Sequence, residues 1–345
     1  MKFPADPAPH EIAPNSVGRV MRLVIYALVP AIIMHIVFLG PGLIVQIVLG
    51  TATALAAEAL ALKLRRQPLR QFLSDGTAII TAILLALCLP PLAPWWLVVS
   101  GAAFAILLAK HLYGGMGANP FNPAMVGYAV LLVSFPAQLT QWLPPQVAGL
   151  QTADLGFGEV VRTIFSGDLP ARLTWDAVTS PTPLETMRTR LALGQTMQEV
   201  QASQIFGMFG GRGWEWINLA TLTGGIWLLA MRIIRWQIPA ALLAGIAIPA
   251  GVMYSIDPGS YPGPLFHLTG GASMLGAFFI ATDPVSAATS DRGRLVYGAG
   301  IGMITYVIRT WGGYPDGIAF AVLLMNAAVP LIDRYTVPRI YGHSR

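Results

Sequence analysis

Charge is what this sequence has least of. Of its 345 residues only 11% are Asp, Glu, Lys or Arg, less than half of the roughly 25% that soluble domains carry. So few charges cannot cover a solvated surface, which excludes an ordinary cytosolic enzyme. With 55% hydrophobic residues, disorder is excluded too, because it needs low hydrophobicity and high charge. Cysteine is the next shortage. A lone Cys88 excludes disulfide frameworks, cysteinyl iron–sulfur clusters and thiolate zinc sites within the chain. No GxGxxG follows a strand pattern, and no P-loop or HExxH occurs. The histidines His10, His35, His111, His267 and His343 are scattered without metal-ligand spacing, so no metal site is expected. His35 and His267 fall in or beside apolar runs, where a buried, hydrogen-bonded histidine is expected before a haem ligand.

Apolar runs long enough to cross a bilayer fill most of the rest. A spanning helix needs about 20 mostly apolar residues. On that criterion the chain is an all-α polytopic membrane protein with ten candidate transmembrane helices. They cover residues 21–39, 42–62, 76–89, 95–112, 123–142, 214–234, 238–254, 265–282, 295–311 and 317–332. The third, eighth and tenth are short and carry glycine. Residues 1–20, with Asp6, His10 and Glu11, lack the apolar core of a cleavable signal peptide and read as a cytoplasmic tail.

Lys63, Arg65, Arg66, Arg70, Lys110, Arg232, Arg235, Arg292 and Arg294 flank the spans on one side. The short opposite loops near Gly40, Pro91, Pro258 and Gly313 have no Lys or Arg. The positive-inside rule then puts both termini in the cytoplasm. Topology thus accounts for the formal charge of +5, and nucleic-acid binding, which calls for a clustered basic face, is not expected.

Residues 142–212 break the pattern: a long polar segment on the outer side, where its arginines escape the charge rule because of its length. Long loops are often functional, and 156–165 and 184–201 read as short amphipathic helices on the membrane surface. Five spans precede this loop and five follow it, so kinship between the halves would make a 5+5 inverted repeat. Gly76-Thr-Ala-Ile-Ile-Thr-Ala in the third span resembles Gly271-Ala-Ser-Met-Leu-Gly-Ala in the eighth, and each runs into a proline. Lys110 precedes Gly114-Gly115 as Arg309 precedes Gly312-Gly313. The organisation expected is a tail (1–20), a five-helix half (21–141), an extracytoplasmic loop (142–212), a second half (213–333) and a cytoplasmic C-terminal tail (334–345).

Ionisable groups within spans are functional candidates. Glu58, in the middle of the second span, and Asp283, at a repeat-equivalent span end, are candidates for an ion path. Arg309 joins them near the outer end of the ninth span, where it is placed to snorkel. Asp75 and Asp316, beside glycines, are expected to cap helices. The run from Gly114 to Pro123, with Asn119 and Asn122 before prolines, reads either as non-helical backbone against a cavity or as a loop closed by two turns.

In the outer loop, Trp175-Asp-Ala-Val-Thr-Ser-Pro-Thr-Pro-Leu-Glu185 is by itself a proline-constrained turn that presents the Thr182 hydroxyl. It also resembles the flavinylation motif of the RnfD/NqrB family, roughly Asp-x-x-Ser/Thr-Gly/Ser/Ala-x-Thr. Carried over by position, Asp176, Thr179, Ser180, Pro181 and Leu184 belong to the motif, and Thr182 is the acceptor of a covalent FMN phosphoester. Ser180 and Pro181 stand where glycine and alanine are commoner. The likeness continues through Ala8-Pro-His-Glu-Ile, Ser74-Asp-Gly-Thr, Leu89-Pro-Pro-Leu-Ala-Pro-Trp-Trp96, Asn119-Pro-Phe-Asn-Pro-Ala124 and Ala281-Thr-Asp-Pro284.

The resemblance covers nearly the whole chain, and the length is nearer the RnfD branch. It implies a subunit of an Rnf-type ion-translocating oxidoreductase in a bacterial inner membrane, with loop 142–212 periplasmic. Electrons would pass between ferredoxin and NAD and drive Na⁺ or H⁺ movement. It further implies a second, non-covalent flavin (riboflavin), with Asn119, Asn122 and Asp283 as its expected surroundings. Implied partners are RnfA, RnfB, RnfC, RnfE, RnfG, membrane lipid and an FAD-dependent flavin transferase. The competing class is a urea-transporter-like channel, which would leave the outer loop and its motif without a role.

Overall fold

The computed structural model describes residues 16–336 apart from 116, 148–149, 151–154 and 315. The expected tails, including His10 and His343, lie almost wholly outside the described residues. Among the described residues the chain is helical, with no strand beyond an isolated bridge between Phe206 and Gly211.

The first half contains α1 (Val17–Leu39), α2 (Gly42–Leu64), α3 (Thr77–Leu87), α4 (Trp95–Phe104, continued by a π-helical segment Ala105–His111) and α5 (Pro123–Ser134). The intervening segment carries α6 (Phe157–Ser166) and α7 (Pro183–Ala192). The second half contains α8 (Trp214–Ala230), α9 (Gln237–Ile256), α10 (Pro264–Thr269), α11 (Ser273–Leu275 with a π-helical turn Gly276–Ile280), α12 (Asp291–Trp311) and α13 (Ile318–Thr336). Four helices, α1, α2, α9 and α13, are long and apolar enough to cross a membrane by themselves; α3, α4 and α5 are shorter apolar helices.

The expected eighth span, 265–282, is not one helix. It is broken into α10 and α11 by Gly270–Ala272, where Gly271 adopts φ +55°. The expected third span, 76–89, is a single helix, α3, entered through a similar turn: a short helix Leu69–Leu73, then Gly76 at φ +82°. A left-handed φ carries no steric penalty for glycine, so each half turns sharply just before its short third helix. The expected single amphipathic segment 184–201 is likewise two helices, α7 and a turn at Met197–Gln201.

Packing joins the halves through matching elements. Helix α1 lies against α8, and α5 against α13. One apolar core runs across the junction, with Leu28, Ile83 and Met125 from the first half against Phe278, Tyr297 and Val322 from the second. Helix α6 is amphipathic as expected, but its apolar face, Val160 and Ile164, packs on Leu92 of the first half. The Arg172 guanidinium and the Gly156 amide hold the Glu159 carboxylate of α6 below its usual range. That contribution is present at neutral pH and is lost as pH falls through the lowered value.

The most extensive helix–helix seam is between α9 and α12, where small residues let the backbones approach, as in membrane helix pairs. A Cβ at Gly245 would come within 2.6 Å of the Ala299 carbonyl and 3.1 Å of Gly302 Cα. Gly245→Leu is therefore expected to overpack the seam and cost about 1–3 kcal/mol or more. A lowered thermal midpoint in detergent would register it.

Candidate functional site

Two buried clusters hold the third spans. In the first half, Lys110 lies near the end of the π-helical segment after α4 and is 3% exposed. Its Nζ donates to Glu58 Oε1 at 2.5 Å and to Thr77 Oγ1 at 2.7 Å. Thr77, the first residue of α3, donates its own hydroxyl and amide to Asp75 Oδ1 at 2.6 and 2.7 Å. His111 Nε2 lies 3.6 Å from the same Glu58 oxygen. In the second half, Arg309 near the end of α12 is also 3% exposed. It donates to the His267 carbonyl at 2.7 Å, to Ser273 Oγ at 2.9 Å, to the Gly270 carbonyl at 3.4 Å and to Asp316 Oδ1 at 3.0 Å.

Asp316 in turn accepts from the amides of Ala272 at 2.7 Å and Ile318 at 3.2 Å. In both halves the cation therefore reaches a hydroxyl in the first turn of the third span, Thr77 or Ser273. Asp75 and Asp316 do cap helices as expected, at Thr77 and Ile318. Two expectations are corrected. Lys110 is a buried, paired side chain and not an exposed flanking cation, and Arg309 does not snorkel. Each is buried because a cation in an apolar interior is stable only when paired and hydrogen-bonded. The matched spacing of Lys110 and Arg309 to a Gly-Gly pair was the signal in the sequence.

The Asn119–Asn122 turn and the Asp283 break meet between the halves. Asn122 caps α5 by accepting from the Met125 amide, and its Nδ2 donates to the Ile280 carbonyl at 3.1 Å. Its amide donates to Asn326 Oδ1 at 3.1 Å, and Asn326 Nδ2 reaches Tyr297 Oη and the Ser286 carbonyl. Asp283 accepts from Ser286 Oγ at 2.8 Å. Asn119 bonds locally to the Phe121 carbonyl and is not brought into this network.

Above this junction a cavity of about 250 Å³ opens between the halves. His35 of α1, Trp142 and Trp214 form one wall; Cys88, Met125 and Ile280 line its deep end. The loop covers it with Thr182, Leu184 and Arg188. Thr182 is the N-cap of α7, accepting from the Glu185 amide at 3.3 Å, with Pro183 as first helical residue. A β-region N-cap followed by proline presets this entry.

The other motif residues build the approach to Thr182. Asp176 is exposed on the turn Trp175–Val178, Thr179 Oγ1 donates to the Trp175 carbonyl at 2.8 Å, and the Ser180 amide donates to the Trp142 carbonyl at 2.9 Å. Pro181 is exposed and Leu184 is buried among Met187, Val200 and Phe266. Only Thr182 and Leu184 of the motif line the cavity. Neither buried histidine is hydrogen-bonded through its ring as expected: the nitrogens of His35 and His267 have no partner among the described residues. Nothing in the sequence marked His35 as a cavity residue. Among the described residues no group of three His, Cys, Asp or Glu side chains is placed to hold a metal.

Broken helices with a cavity between two sets of packed apolar helices define a polytopic helical membrane protein. The chain belongs to the NQR2, RnfD, RnfE family, whose model matches residues 5–342. It is 48% identical over 353 residues to the D subunit of the ion-translocating oxidoreductase complex of Escherichia fergusonii, with all of both chains covered. Proteins of the same description from Escherichia coli O7:K1 and Shigella dysenteriae serotype 1 match at the same identity and coverage.

Removing one partner of a buried ion pair is expected to cost about 3–5 kcal/mol, whereas replacing both by apolar groups is often neutral. Glu58→Leu should therefore destabilise the chain strongly, and Glu58→Leu combined with Lys110→Met should recover much of the loss. Thermal unfolding of the variants in detergent measures both.

Proposed function

We propose that this chain is the flavin-carrying membrane subunit of an Rnf-type complex that couples electron transfer between ferredoxin and NAD to Na⁺ or H⁺ translocation across a bacterial inner membrane. The observation that carries the reading is the position of Thr182. In a chain 48% identical to the D subunit of an ion-translocating oxidoreductase complex, the threonine of the flavinylation-like motif stands at the rim of a cavity between the halves. The family membership gives no support to the urea-transporter-like alternative. The topology consistent with this function is a 5+5 inverted repeat of ten spans, with both termini cytoplasmic and residues 142–212 periplasmic. The pairing of α1 with α8 and of α5 with α13 supports it.

Thr182, partly exposed at the N-terminus of α7, is the residue on which a flavin transferase working from the outer side would act. In that maturation the Thr182 oxygen forms a bond to the FMN phosphorus of FAD, the phosphoanhydride bond breaks, AMP leaves, and the hydroxyl proton passes to base. The residues present fit a tethered flavin, since Thr182 lines the same cavity as the aromatic side chains of Trp142 and Trp214. Once bound, the flavin supplies electron-transfer chemistry, while this chain sets its position and surroundings. A second flavin, riboflavin, would be accommodated near the Asn119–Asn122 turn and the Asp283 break.

Glu58 and Asp283 are the groups we assign to the ion path. Arg309, engaged by four acceptor groups, instead holds the α10–α11 break. Moving one charge against 100 mV costs about 2.3 kcal/mol, which the redox reaction must exceed per ion. RnfA, RnfB, RnfC, RnfE and RnfG would supply the remaining electron carriers and the NAD site, since the chain has no dinucleotide fingerprint.

In-gel flavin fluorescence of the denatured chain tests the assignment. A fluorescent band near 36.8 kDa whose intact mass includes one FMN phosphoester, lost in Thr182→Ala, is the expected result. A dark wild-type band from cells that contain the transferase would overturn it. Glu58→Gln is expected to reduce ion accumulation in vesicles at least tenfold per electron transferred; unchanged pumping would remove Glu58 from the path.

A further inference from the structure

Among the described residues that line the cavity below Thr182, His35 is a buried side chain whose polar ring atoms the fold leaves unpartnered. His35 is 2% exposed and lines the cavity, yet neither ring nitrogen has a hydrogen-bond partner among the described residues. An unsatisfied buried polar group costs about 1–3 kcal/mol, and native structures retain few of them. Three other polar side chains of the lining are already engaged. Asn218 donates to the carbonyls of Trp214 and Gly271 and accepts from the Met274 amide, and Thr221 donates to the Ile217 carbonyl. Asp316 is held by Arg309 and two amides.

The surroundings of His35 specify the shape of its missing partner. The imidazole stands edge-on to Trp142, with centroids 6.4 Å apart and planes at 61°, and Trp142 packs at 5.1 Å against Trp214. Such a wall suits a flat aromatic ring. A neutral imidazole offers one donor and one acceptor, matching the alternating N–H and carbonyl groups along a flavin's polar edge. His267 is equally unpartnered, but it lines a separate cavity of about 220 Å³ on the other side of α7, which Thr182 does not border. The tether therefore selects His35.

Building on the assignment of Thr182 as the flavin anchor, we infer that His35 is the side chain that hydrogen-bonds the ring of the attached flavin, positioning it in the cavity and tuning its midpoint potential. His35 is a positioning residue with a direct effect on the ring's electronics. A donor hydrogen bond is stronger to an electron-rich acceptor, so it favours the reduced flavin over the oxidised one.

The test uses the assembled complex. In-gel fluorescence first establishes that the Thr182-linked flavin is present in wild type and in the His35 variants. A redox titration then follows flavin absorbance, with the Thr182→Ala complex subtracted to isolate this flavin. His35→Leu is expected to lower the midpoint, so that the reduced-to-oxidised ratio at a fixed potential falls about tenfold, or about 30 mV for a two-electron couple. His35→Gln, which keeps a donor and an acceptor, should restore most of the shift. If His35→Leu does not accumulate, His35→Met carries the same comparison. A fully flavinylated His35→Leu or His35→Met complex with the wild-type midpoint would overturn the inference while leaving the Thr182 assignment standing. A wild-type chain without attached flavin would overturn both.

Discussion

Two buried cations make the rest of this architecture possible. An interrupted helix in an apolar environment exposes amides and carbonyls that water cannot reach, and each must find a partner. Arg309 meets that need in the second half by donating to the carbonyls of His267 and Gly270, while Asp316 takes the Ala272 amide on the other side of the break. Lys110 does the corresponding work in the first half through Thr77 and Glu58. Each cation lies at or near the end of the fourth span of its half. A π-helical segment leads into Lys110, and another forms most of α11 beside the second break. Such irregular turns are rare and cluster at functional positions.

The cavity follows from the second break. Gly270, Gly271 and Ala272 line it directly, because the chain there has left the helix and carries little side chain. Leu184 of α7 enters the space so created, and a Cβ on Gly271 would stand 2.6 Å from Leu184 Cδ1. That contact seats α7 over the cavity, and with it Thr182 at the N-terminus of the helix. The segment that carries α7 is thus fastened to the second set of helices by the same irregularity that Arg309 stabilises. A segment anchored this way holds Thr182 at one fixed place beside the cavity.

The halves are alike in construction and unlike in chemistry. The cluster in the first half gathers a lysine, two carboxylates and a histidine around Thr77. The cluster in the second half is built on an arginine, whose charge is permanent. A pair of this second kind serves as a fixed clamp.

Much of this was legible in the amino-acid sequence. The scarcity of charge established a membrane protein. Apolar run lengths placed most of the helices, and the Gly76 and Gly271 correspondence marked both third spans. By itself the stretch from Asp176 to Thr182 read as a proline-constrained turn, and the resemblance to a family motif is what drew attention to the Thr182 hydroxyl. Only the tertiary structure decided that residues 265–282 are two helices, that Lys110 and Arg309 turn inward, and that His35 lines the same cavity as Thr182. Those outcomes depend on partners 52, 36 and 42 positions away along the chain for Lys110 and Arg309, and for His35 on a wall assembled from α1, α8 and the loop. Whether a buried polar group is paired or left open depends on which distant groups packing brings to it, and local sequence does not carry that information.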